Sequence, residues 1–123
     1  MRYLLDKNIV RYAIAGLYFG RQRLLSSVER GALIFWRAAE TNDVELFISH
    51  TSWQVLQTMT HYNEVRLFLD SVQVLYPTRY HRRWTRRIRE TTGLTREDTA
   101  MIALGSFGTN VAGTILGVHG LVT

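Results

Sequence analysis

Four short apolar runs alternate with stretches of helical spacing, and this alternation restricts the chain's fold more than any other feature. The runs are Arg2–Leu5, Glu45–Ser49, Val72–Tyr76 and a last one within Gly117–Thr123. Strands this short, each separated from the next by a helix-length connection, pair in parallel through helical crossovers and not as hairpins. The expected fold class is therefore α/β, a three-layer sandwich around a central parallel sheet. A chain of 123 residues with no repeat and no linker is read as one domain, 1–123.

Between the strands the helix signals are local. Asp6 and Asn8 are N-cap types opening a helix that runs to about Ala15, where Gly16 and Gly20 interrupt the pattern. Leu24, Val28, Ala32, Phe35 and Ala39 recur at helical intervals and predict a helix over 21–40 with those residues inward. Thr51 or Ser52 caps a third helix with Trp53, Leu56 and Met59 inside, and a short helix passes through 67–69. Thr78 opens a helix anchored by Tyr80, Trp84 and Ile88 and closed by Gly93. Thr95 opens the last, which turns Ala100, Ala103, Leu104 and Phe107 inward.

Several chemistries are excluded. With no cysteine there is no disulfide, thiolate metal site or thiol nucleophile. The four histidines lack zinc spacing, the glycines form no phosphate loop, and there is no G-x-S-x-G elbow. No apolar run approaches the roughly 18 residues of a membrane helix, and MRYLLDKN lacks a leader's apolar stretch, so the expectation is a soluble cytoplasmic protein.

Charge adds a positive clue. Fifteen basic residues against ten acidic ones give +5, and Lys7 is the only lysine. Arg79, Arg82, Arg83, Arg86, Arg87 and Arg89 share one predicted helix that has no acid before Glu90. Arg82, Arg86 and Arg89 fall opposite the Tyr80–Trp84–Ile88 stripe. They suit a phosphate backbone or an acidic partner, the alternative being a solvated charged face.

Two acids at helix starts, Asp6 and Asp98, form the sharpest pairing. In open parallel sheets the ligand crevice lies at the carboxyl ends of the strands. If both acids point into it, they make an oxygen-rich site for Mg²⁺ or Mn²⁺ able to assist phosphodiester hydrolysis. A rival explanation needs no site: Thr95-x-x-Asp98 matches a capping box, and Asp6 is an ordinary N-cap.

MRYLLDKNIV, LFISHTSWQVL, GLTREDTAMIALGSFG and GVHGLVT together, in this order, resemble PIN domains of the VapC-like toxin family. The resemblance implies a metal-dependent ribonuclease, the toxin half of a toxin–antitoxin pair. Its first acid would be Asp6 and its third Asp98, both catalytic and metal-binding, with Asn8, Ser49 and Thr123 as polar neighbours. The family's second acid falls at Val55 or, one residue off, at Gln54, and neither is an acid. A fourth acid would follow just after Thr123.

The expectation is a degenerate site that binds Mg or Mn weakly and cuts RNA slowly. A non-catalytic PIN-like module binding RNA or a protein is the alternative, and an unrelated α/β domain whose acids only cap helices is a third. A small antitoxin protein is the expected partner. Three Trp, six Tyr and five Phe in so small a chain also point to a homodimer.

Overall fold

The computed structural model describes residues 1–123. In chain order the elements are β1 (Arg2–Leu5), α1 (Lys7–Phe19), α2 (Ser27–Thr41), β2 (Glu45–Ser49), α3 (His50–Gln57), α4 (Asn63–Asp70), β3 (Gln73–Leu75), α5 (Arg79–Thr92), α6 (Arg96–Phe107) and β4 (Gly120–Val122). One sheet of order β3-β2-β1-β4 joins the strands, and every pairing is parallel. The expected α/β architecture, a central parallel sheet with helices on both faces, is the one observed. No helix is long and apolar enough to cross a membrane.

The period-two alternation of strands divides the core in two. Leu5, Leu46 and Ile48 point to one face, where Val10, Ala13, Ala32, Trp36, Val65 and Phe68 bring in α1, α2 and α4. Leu4, Phe47 and Leu75 point to the other and meet Leu104 of α6. Both faces of the sheet are thus covered, as an all-parallel sheet requires. At the amino edge, Arg2 Nε donates to Glu45 Oε2 at 3.1 Å, which keeps Glu45 at the end away from the crevice.

Local details depart from the sequence reading, each for a physical reason. Helix α1 continues through Gly16, where a Cβ would lie 3.2 Å from the Leu33 Cβ and 3.3 Å from the Glu29 carbonyl oxygen. Gly16 is the point of closest approach between α1 and α2 and does not break the helix. Helix α2 starts at Ser27, well after Arg21, because Ser26 and Glu29 close a capping box. Leu24 is consequently 95% exposed and Val28 52% exposed, and the inward face is Ala32, Trp36 and Ala39. Ser49 caps α3 in place of Thr51 or Ser52, accepting from the Ser52 N–H. Met59 lies in the turn after α3 and is exposed.

Helix α5 has the expected Thr78 cap and a left-handed Gly93 at its end, but no buried residue. Its half-buried stripe is His81, Thr85 and Ile88, while Tyr80 is exposed. Trp84, 37% exposed, stacks on Phe107 with ring centroids 5.4 Å apart. Gly105 lies inside α6 and is buried.

The capping box of α2 yields a pH prediction. Arg23 donates to both Glu29 carboxylate oxygens, at 3.0 and 2.8 Å, and the Ser26 N–H donates to Oε1 at 2.9 Å. Chiefly through Arg23, and next through Ser26, these bonds lower the Glu29 pKa from 4.5 to about 2. A carboxyl depressed on folding stabilises fully above its unfolded pKa, and that contribution fades as pH falls from about 4.5 towards 2. Glu29→Gln is therefore expected to be less stable than wild type at neutral pH and to converge with it across that window. Urea melts at stepped pH would show it; a constant gap between the two proteins would contradict it.

Candidate functional site

Strand register sets the site. Leu4 pairs with Phe47 and Leu5 with Val122, so the next residue, Asp6, stands level with Ser49 on one side and Thr123 on the other. The Asp6 N–H donates to the Val122 carbonyl at 2.9 Å, which extends the sheet bonding to the point where α1 begins. Three of the residues singled out in the sequence thus form a row along the carboxyl edge.

Above this row lies a cleft of about 320 Å³, walled by Asp6, Lys7, Ser49, Ser52, His50 and His81, and by Glu97 from α6. Residues at the starts of α1, α3, α5 and α6 all reach it. Helix N-termini carry unpaired N–H groups and a partial positive charge, so four of them here favour an anion such as a phosphate.

The acids are not occupied as caps. Asp6 sits at the N-cap of α1, yet its side chain makes no capping hydrogen bond. Thr95 caps α6 by accepting from the Asp98 N–H at 3.2 Å. The return bond of a capping box, present at Ser26 and Glu29, is missing here. Neither the Asp6 nor the Asp98 carboxylate takes part in an ion pair.

Asp6 and Asp98 differ in placement. Asp6 walls the cleft; Asp98 is exposed one residue beyond Glu97, which is the α6 acid in the wall. Glu97 Oε1 lies 2.8 Å from Lys7 Nζ. That contact raises the Lys7 pKa above its ordinary value, first through the hydrogen bond and then through charge attraction, with a smaller contribution from Asp6.

Asn8 and Val55 line a separate groove, and Gln54 stands outside both. No three His, Asp or Glu side chains gather anywhere at metal-binding geometry. The donors available at the cleft are hard oxygens, carboxylate and hydroxyl, which match Mg²⁺ or Mn²⁺ in kind but carry little charge to hold it.

Two wall residues carry no clear signal in the sequence. His81 shares the α5 stripe facing α6; burial, and secondarily Arg82, lower its pKa, and its Nδ1 is buried without a partner. The only hint of its role is its position three residues after the Thr78 cap. Lys7 stands out in composition alone, although a residue next to a strand-end acid is held at the same edge. His50 also lines the cleft, with its ring packed on Trp53 and Tyr76 at 5.7 and 4.9 Å between centroids.

Two further surfaces stand out, and one of them is continuous with the cleft. Arg82, Arg83, Arg86 and Arg87 line a shallow concave patch on α5 with Glu90, whereas Arg89 lies outside it. The only acid pairing on this helix is a loose one, Arg86 to Glu90 at 3.7 Å. An apolar groove of about 480 Å³ runs between α1 and α3, lined by Val10, Ile14, Val55, Leu56 and Met59. It shares Lys7, Thr51 and Ser52 with the acidic cleft, so the two are continuous.

No family model matches the sequence, and no curated protein does. The fold is similar to a solved structure described as VapBC2 from Rickettsia felis bound to a DNA fragment from their promoter. The TM-score is 0.55 at 16% identity, over 86% of this chain and 80% of that one.

The half-formed cap at α6 separates the two explanations of Asp98. Thr95→Ala is expected to cost about 1 kcal/mol, the usual worth of an N-cap hydroxyl. Asp98→Asn should cost less than about 0.5 kcal/mol, since only its attraction to the helix start is removed. Denaturant melts of both variants decide it. Equal losses would make Asp98 a structural cap.

Proposed function

We propose that the chain is a PIN-like protein of the toxin–antitoxin kind, with an RNA-binding cleft that is weakly nucleolytic and depends on Mg²⁺ or Mn²⁺. The observation that carries this reading is the free Asp6 carboxylate at the carboxyl edge of the sheet, in a cleft where four helix starts converge. Asp6 would hold the cation from the cleft wall, and Asp98, exposed at the start of α6, would have to turn towards it to share it, with the substrate's own phosphate completing the shell, as Mg²⁺ sites commonly allow. A cation bound there supplies a more acidic water and neutralises charge developing on the phosphate.

The chain's own residues do the rest. Ser49 and Thr123, level with Asp6, offer hydroxyls that orient water or a phosphate oxygen. The arginines of α5 form a separate cationic patch that holds the strand's backbone, with no acid to compete except Glu90. Neither Val55 nor Gln54 brings charge to the cleft, which accounts for slow turnover and weak metal binding. The exposure of Val55, at 56%, in the continuous apolar groove favours a second use: that groove receives a small partner protein, the antitoxin. The structural neighbour's being a VapBC assembly supports such a partner. Self-association as a homodimer belongs to the same reading, and light scattering at tens of micromolar tests it.

Slow cleavage of single-stranded RNA in Mn²⁺ is expected. Asp6→Asn should lower it about a hundredfold, the scale of losing one charge-stabilising group. Unchanged cleavage by Asp6→Asn would remove the cleft from the chemistry. Replacing Arg82, Arg86 and Arg89 by Gln should weaken RNA binding and flatten its salt dependence, by roughly 0.7 log units for each phosphate no longer neutralised. A salt slope equal to wild type would make α5 a solvated face.

A further inference from the structure

Lys7 is the first residue of α1, next to Asp6, and its ammonium lies against Glu97 across the cleft. The pair, more than half exposed on both sides, joins the start of α1 to the start of α6, where the proposed metal-binding acids stand. A unit positive charge is therefore already present where a divalent cation would have to enter. Where the family's second acid would add negative charge, α3 supplies Gln54 and Val55. Each change alone weakens the attraction for a metal; together they make an ammonium the better-matched cation.

We propose that Lys7 is the built-in cation of this cleft, competing with Mg²⁺ or Mn²⁺ for the carboxylates around it. Its Nζ neutralises Glu97 at 2.8 Å and lies within the wall that Asp6 shares. A divalent ion must displace the ammonium from Glu97 or bind beside it, and either route meets the repulsion of like charges. The same ammonium, at a helix start and facing the cleft, gives a phosphate a positive contact that needs no metal. The inference rests on reading the cleft as a weak divalent-cation site, and it names the residue that sets the weakness.

The test is calorimetric titration of Mn²⁺ into the full chain without RNA, so its outcome does not depend on whether the cleft takes RNA. Lys7→Met keeps an unbranched side chain of nearly the same length and a similar helix preference, and removes the charge. It should bind Mn²⁺ about tenfold more tightly than wild type, the order expected when a unit charge a few ångströms from a divalent ion is removed in a well-solvated site. Lys7→Arg keeps the charge and should remain as weak as wild type. Adding Asp6→Asn to Lys7→Met should cancel the gain. Matching thermal melts confirm that the variants fold. The proposal is overturned if Lys7→Met binds Mn²⁺ no more tightly than wild type, if Lys7→Arg gains equally, or if the gain survives Asp6→Asn.

Discussion

Strand β1 is hydrogen-bonded on both sides, to β2 and to β4, and is buried on both faces through Leu4 and Leu5. Each of those leucines belongs to a different half of the core, so this inner strand binds both layers. The residue after such a strand has little freedom. Asp6 is held by its own N–H to Val122, and α1 departs immediately after it. An acid placed there is positioned by the least movable part of the molecule, as a precise polar site requires.

How much of this is legible in the sequence follows from the range of the interactions. The strands and the order of elements rest on apolar runs and turn residues, which are local, and β1 and β2 match the sequence reading residue for residue. Gly16 reads as a helix breaker because its true role is a helix crossing with α2, between residues far apart along the chain. Spacing alone starts α2 too early, because Leu24 and Val28 fit the helical period. The Ser26–Glu29 box with Arg23 overrides that period by satisfying the helix's first donors.

At the site the same division holds. Asp6 and Ser49 are legible because strand ends are legible. Which of Glu97 and Asp98 faces the cleft is set by a rotation of about 100° per residue on α6. That rotation is fixed by Thr99, Ala103 and Leu104 packing beneath the helix, which no spacing rule reveals. On α5, the pattern of large residues suggests Tyr80, Trp84 and Ile88 as the anchor. The inner face keeps Ile88 but uses His81 and Thr85 beside it, while Trp84 lies at its margin against Phe107.

Helix α5 closes one wall of the cleft without burying a single residue. It is held by the Thr78 cap, a bond from the Thr78 hydroxyl to the Phe107 carbonyl at 3.2 Å, and the Trp84–Phe107 stack. Segments with so little apolar burial open at free energies well below that of global unfolding. The cleft is thus built from parts held unequally: Asp6 and Ser49 are fixed by the sheet itself, while His81 and the arginine patch depend on the docking of α5. A polyanion bound to that patch would narrow the gap in stability between the two walls, so that its binding and completion of the cleft would be one event.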